Sequence, residues 1–227
     1  PPPPPAPAPA DDDIDILTEA GQFQPPPRRA SIDLDDTGPK MRWDPRWRRF
    51  EMGNFIATGI AAAGAIGSLA IPTAPDRWTT TNEFDLAIRD ALRRDETDDR
   101  FRERDASDVL LALSVNQLLI DTLIVTWWGH DAGSVALQMA LINIETIAFN
   151  AAINGLVAGL ASRQRPYGDS LCLGEAETEL VDCRTSKRYR SFYSGHTSTT
   201  FAVAGLTCMH HAYLPIYGGT FADTLIC

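Results

Sequence analysis

The chain has no surplus of positive charge: 20 Lys and Arg stand against 30 Asp and Glu, a net charge of −10. That balance argues against a nucleic-acid binder, which needs a basic face to meet phosphates. The acid is concentrated in the N-terminal tail, so it says little about the charge at any site. Lysine is almost missing, with Lys40 and Lys187 alone among many arginines. Cysteine is scarce at four residues, and no metal-ligand spacing accompanies them, so no metal centre is expected. Cys172 and Cys183 instead fall in one polar loop and suit a disulfide, which points to an extracytoplasmic compartment. Cys208 lies in an apolar run, where a small buried residue is expected, and its pairing with Cys227 is left open. The chain does not begin with Met, which fits a processed or partial chain.

Residues 1–40 are low in complexity: a Pro/Ala run, then Asp11-Asp12-Asp13, further acids and Pro25-Pro26-Pro27. Such a segment buries too little apolar surface to offset its ordering entropy, so a disordered arm is expected. It reads as a spacer, with a docking arm for a protein partner as the sharper alternative. Residues 41–227 form the second unit, expected to be an all-α helical bundle in a membrane. Met41 to Phe50 alternates arginines with aromatics, an interfacial pattern. Met52 to Pro75 contains no charged residue, and its core, Phe55 to Ile71, approaches the ~20 apolar residues that span a bilayer. Gly59, Gly64 and Gly67 would let a second helix come close.

Thr80 to Arg94 is amphipathic, with Phe84, Ala87, Ile88, Ala91 and Leu92 on one face, and predicts a surface helix. Asp95 to Asp105 mixes both charges and predicts a solvated loop. Val109 to Trp128 is a second long apolar helix, whose Asn116, Gln117 and Asp121 should face the interior. Trp127-Trp128 supplies an interfacial belt, and His130 follows in a turn. Ala132 to Ser162 predicts a third helix with Glu145 as its only charge and Asn143, Asn150 and Asn154 on one face. Gly195 to Tyr213 predicts a fourth.

Chemistry concentrates around the start of that fourth helix. Ser191-Phe192-Tyr193-Ser194-Gly195-His196-Thr197-Ser198 opens an apolar run. A helix N-terminus offers unpaired N–H groups and the positive end of the dipole, so it readily holds an anion. Here it also carries a histidine, which can give up a proton near neutral pH. About thirty residues earlier, Arg163 and Arg165 precede Pro166, two guanidiniums suited to bidentate phosphate binding. Between them, Tyr167 to Tyr193 reads as a polar lid braced by Cys172 and Cys183. Lys187-Arg188-Tyr189-Arg190 adds positive charge to it.

Arg165-Pro166 followed by Ser194-Gly195-His196, between apolar helices, resembles the type 2 phosphatidic acid phosphatase family, which shares its core with the vanadium haloperoxidases. The family carries K-x6-R-P, P-S-G-H and S-R-x5-H-x3-D, and the likeness covers roughly Phe84 to Cys227. It implies an all-α transmembrane bundle and hydrolysis of a phosphomonoester or lipid phosphate through a phospho-histidine. Membrane lipids or a phosphorylated small molecule are the implied partners. No cofactor is implied, and vanadate would be needed only by a haloperoxidase-like member. Arg165, with Arg163 beside it, would clamp phosphate; Ser194 and the Gly195 N–H would donate to it; His196 would be the general acid. The implied setting is a bacterial-type inner membrane with the site loop on the periplasmic, extracytoplasmic side.

Two features depart from the family. Its first-motif lysine falls on Ala158, and no Arg or Lys follows Arg190, so the third motif with its nucleophile is absent. His210 and His211 do not supply it. His210 lies fourteen residues from His196 on one helix, ~21 Å at 1.5 Å per residue. Two expectations follow: a phosphatase whose nucleophile lies in a continuation past Cys227, or a catalytically inactive phosphatase-like membrane subunit acting as a scaffold or lipid- and anion-binding partner.

Overall fold

The computed structural model describes residues 41–74, 77–78, 83–92, 97–165, 186–219 and 221–227. The N-terminal arm, Pro166, Cys172, Cys183 and most of the expected lid lie outside the described residues. Every regular element among the described residues is helical. In order they are α1 (Met52–Ser68), α2 (Glu83–Leu92), α3 (Thr97–Leu119), a π-helical continuation of it (Ile120–Gly129), α4 (Gly133–Ala161), a 3₁₀ turn (Ser186–Tyr189), α5 (Gly195–Tyr213) and α6 (Phe221–Leu225). The all-α class holds.

α3 with its π-helical end and α4 form a long hairpin. The turn closes with His130 N donating to Val125 O at 2.9 Å and Ala132 N to Thr126 O at 3.1 Å. Asp131 takes the left-handed conformation that the reversal requires, with φ 51°. Arg102–Gly129 and Gly133–Ala161, of 28 and 29 residues, are long and apolar enough to cross a membrane. Only 22% and 17% of their most apolar windows are buried within the protein. Leu110, Leu113, Ile124, Leu137, Ile144 and Leu160 all point outward. A soluble monomer rarely leaves so extended an apolar surface to water.

α1 departs from the expected span over Phe55 to Ile71. It has 17 residues, ~26 Å of helix, and stops at Ser68. Pro72 disfavours helical geometry at Ile71, and tight turns from Leu69 N to Ile66 O and Ala70 N to Gly67 O end the helix. α1 lies closely against α4. A Cβ on Gly155 would sit 2.0 Å from Ser68 Oγ, and one on Gly159 would sit 3.2 Å from Ile71 Cβ. Gly64 faces Ala152, whereas Gly59 and Gly67 face open space. The glycines that matter are therefore mainly those of α4, four residues apart, the small-residue spacing that lets helices approach in lipid.

Other expectations need correction. The mixed-charge run forms the first turns of α3 from Thr97 onward rather than a loop. Asn116 is exposed, while Gln117 and Asp121 do turn inward. Trp43 and Trp47 do not simply face outward. They pack against a core of Met41, Ala132, Val135, Met139, Leu214 and Ile216, and Trp47 meets Tyr213 edge to face at 5.6 Å. On α2, the expected surface helix, Phe84 and Ile88 are exposed and join no core among the described residues. Cys208 pairs with Cys227, tying α5 to the last described residues.

Glycine substitutions separate contact from propensity. Gly155→Ala should lower stability by about 1–3 kcal/mol through overpacking. Gly59→Ala, with nothing near the new methyl, should raise it by about 0.5–1 kcal/mol. Thermal unfolding of the purified chain in one detergent checks both signs.

Candidate functional site

The start of α5 is held by α4. Ser194 caps the helix in an extended conformation, its Oγ accepting from Thr197 N at 3.3 Å. Asn154 Nδ2 donates to Tyr193 O at 2.9 Å. The Asn154 amide oxygen lies 3.2 Å from where a Gly195 Cβ would be, so only glycine fits without displacing it. One turn further along, Asn150 Nδ2 donates to Thr199 Oγ1 at 3.0 Å. Deeper still, Asn143 meets Thr122 at 3.3 Å and His210 at 2.8 Å. The asparagine face of α4 is thus a polar seam that sets the register of α5.

The two arginine-bearing stretches lie side by side. Arg165 N donates to Arg188 O at 2.8 Å, and Ser191 N to Arg163 O at 3.2 Å. These backbone bonds bring Arg163 and Arg165, at the end of α4, beside the segment that leads into Ser194. Arg163 stacks 5.3 Å from the ring centre of Trp78, which packs on Phe192 at 5.2 Å. Arg190 points elsewhere. Its Nη2 donates to Ser68 O and Ile71 O, each at 2.9 Å, capping the carbonyl end of α1. It therefore acts as a helix cap, not as a replacement for the lysine of the family motif. Ala158, onto which the lysine of the resembled family's first motif would fall, is buried. The side chain of Lys187 lies outside the described residues.

His196 has a partner that sequence reasoning did not single out. Its Nε2 lies 2.6 Å from Oδ1 of Asp108 on α3, with both side chains about half exposed. A carboxylate on one ring nitrogen fixes the tautomer and orientation of the imidazole and leaves Nδ1 as the other working atom. The pair borders an open groove of about 430 Å³ between α3 and α5, lined by Glu103, Ser107, Leu110, His196, Thr200 and Phe201 among others. Asp108 lies 88 residues before His196, with no motif to connect them. Cys172 and Cys183 lie outside the described residues, so their pairing has no structural account.

A second polar cluster lies at the other end of the bundle. His211, fully buried, places Nδ1 2.7 Å from Asp223 and Nε2 3.3 Å from Asp121. Tyr217 OH donates to Asp121 at 2.7 Å, and Gln117 Nε2 to the same carboxylate at 2.9 Å. Backbone N–H groups of Tyr217 and Gly219 donate to Asp223 at 3.0 and 2.7 Å. His130 Nε2 meets Ile216 O at 2.7 Å nearby, which makes it part of the turn packing. His210 and His211 therefore serve this far end, not the start of α5. Burial, then the bond to Asp121, pushes the Tyr217 phenol up to about 12. Among the described residues no group of His, Cys, Asp and Glu has the arrangement of a metal site.

Comparison with protein-family models, with curated proteins and with solved structures finds no match for this chain.

Two measurements test these contacts. Asn154→Ala should cost about 1 kcal/mol in unfolding free energy, the worth of one hydrogen bond, and should speed proteolysis before Ser194. Tyr217 has its pKa raised in the fold, so its contribution is complete below about pH 10 and is lost as pH rises through about 12. A difference absorbance titration against Tyr217→Phe should show that late-ionising phenol.

Proposed function

We propose that this chain is a membrane-embedded protein of the type 2 phosphatidic acid phosphatase kind, which binds a phosphate head at the start of α5. The single observation that carries this is the His196–Asp108 pair, set at a helix N-terminus beside the Arg163–Arg165 stretch. In this reading the helix dipole and the Gly195 N–H attract the anion, and Arg165, Arg163 and Ser194 hold its equatorial oxygens. His196, oriented by Asp108, donates a proton to the departing alkoxide. In this reading the nucleophile that attacks phosphorus is a histidine, as in the family resembled, and water then releases phosphate from it. The helices around Arg102–Gly129 and Gly133–Ala161 cross the bilayer, and the site loop faces the extracytoplasmic side of an inner membrane. Substrates of this reading are lipid phosphates or soluble phosphomonoesters.

A second reading is favoured by Ala158, an alanine where the resembled family has a phosphate-binding lysine. The same pocket then binds an anionic lipid or a phosphorylated group without turnover, and the protein is a scaffold subunit, with the N-terminal arm as the segment that meets a protein partner. A haloperoxidase would use the pocket for vanadate, and halide oxidation with added vanadate tests that directly.

Phosphate release from phosphatidate in mixed micelles, measured on the natural full-length protein, separates the two main readings. For the enzyme, His196→Ala should lower turnover by about 10²–10⁴-fold, and added EDTA should leave turnover unchanged. No release from the unaltered protein, with retained binding of phosphatidate, would select the scaffold.

A further inference from the structure

We propose that the groove beneath Trp43 and Trp47 holds one acyl chain of an anionic bilayer phospholipid, whose phosphate meets Arg48. This rests on the membrane reading of the long hairpin but concerns a different surface from the His196 site. The groove, of about 430 Å³, lies at the far end of the bundle. That volume is within the range of about 300–1,000 Å³ that small-molecule sites occupy. Ile142, Leu206, Met209 and Leu214 are among its walls, with Trp43 and Arg48 also lining it. Its lining is apolar apart from Arg48, Tyr213 and His210, and the His210 Nε2 is already engaged by Asn143.

Two observations select the occupant. The first is depth. Trp127 and Trp128, 58% and 80% exposed, lie at the same end of the hairpin as Trp43, Trp47 and Tyr213. Indole and phenol rings collect at the headgroup level of a bilayer, so the groove opens where acyl chains meet headgroups. The second is charge. Residues 41–51 carry Arg42, Arg46, Arg48 and Arg49 against Asp44 and Glu51, in a chain that is acidic overall. Arg46 is spent on Asp44 at 2.6 Å, whereas Arg48 and Arg49 are exposed and make no ion pair with a described residue.

Native mass spectrometry of the full chain in detergent, titrated with phosphatidylglycerol or phosphatidylcholine of identical acyl chains, tests this. One phosphatidylglycerol should be retained per chain, about fivefold more tightly than phosphatidylcholine, the effect of one arginine at a membrane surface. Arg48→Gln, at an exposed position, should abolish that preference. Met209→Trp, on a half-exposed wall, should fill the groove and lower retention of both lipids. Equal retention of the two lipids, or retention unchanged by either substitution, overturns the proposal. Alkaline carbonate extraction from vesicles separates the causes of failure. Release of the chain defeats the membrane reading and this proposal together, whereas a resistant chain without lipid preference defeats this proposal alone.

Discussion

The approach of α1 to the bare backbone of Gly155 and Gly159 is the contact on which the rest of the site end depends. Side chains normally hold helix axes apart, and here two positions on α4 have none. Ser68 and Ile71 therefore come down onto the backbone of α4. That places the last carbonyls of α1 within reach of Arg190, which caps them. The cap anchors the segment before Ser194, and the backbone bonds from Arg165 to Arg188 and from Ser191 to Arg163 complete the arrangement. A methyl group at position 155 would disturb the arginines without touching them.

Polar groups inside apolar helices are costly unless paired, and this chain pairs them in two separate places. Asn143, Asn150 and Asn154 form one seam along α4, each bonded to a partner across the bundle. Asp121, His211, Asp223, Tyr217 and Gln117 form the other set, which joins the π-helical end of α3 to α5 and the last turn. The first set positions the start of α5 and so the candidate site. The second fastens the opposite end, where His211 is bonded through both ring nitrogens. Division of labour between the two ends follows from helix length, since α5 is too long for one polar cluster to serve both.

Much of the helical plan was legible in order along the chain. Apolar runs, the serine cap before Gly195 and the seven- and four-residue spacing of the asparagines depend on residues near one another, and periodicity reports them. The G-x-x-x-G spacing of Gly155 and Gly159 lies in the sequence too, but spacing alone does not tell it from Gly59, Gly64 and Gly67 on α1, of which Gly59 and Gly67 face open space. The mixed-charge run before Asp108 gave no sign of helix, because charge patterning alone does not distinguish a loop from the solvated first turns of a longer helix. Trp43 and Trp47 carried an interfacial signature, yet their rings also close over a protein core.

By itself the sequence determined the order of the long helices, the apolar character of the long hairpin and the place of His196 at a helix start. These are properties of local composition and period. Only the tertiary structure decided that Asp108 partners His196, that Arg190 caps α1, and that Gly155 and Gly159 take the close approach of Ser68 and Ile71. Each of those depends on groups from different helices meeting in space. Side chains 88 or 122 residues apart carry no mark of their partner until packing sets the helices in register.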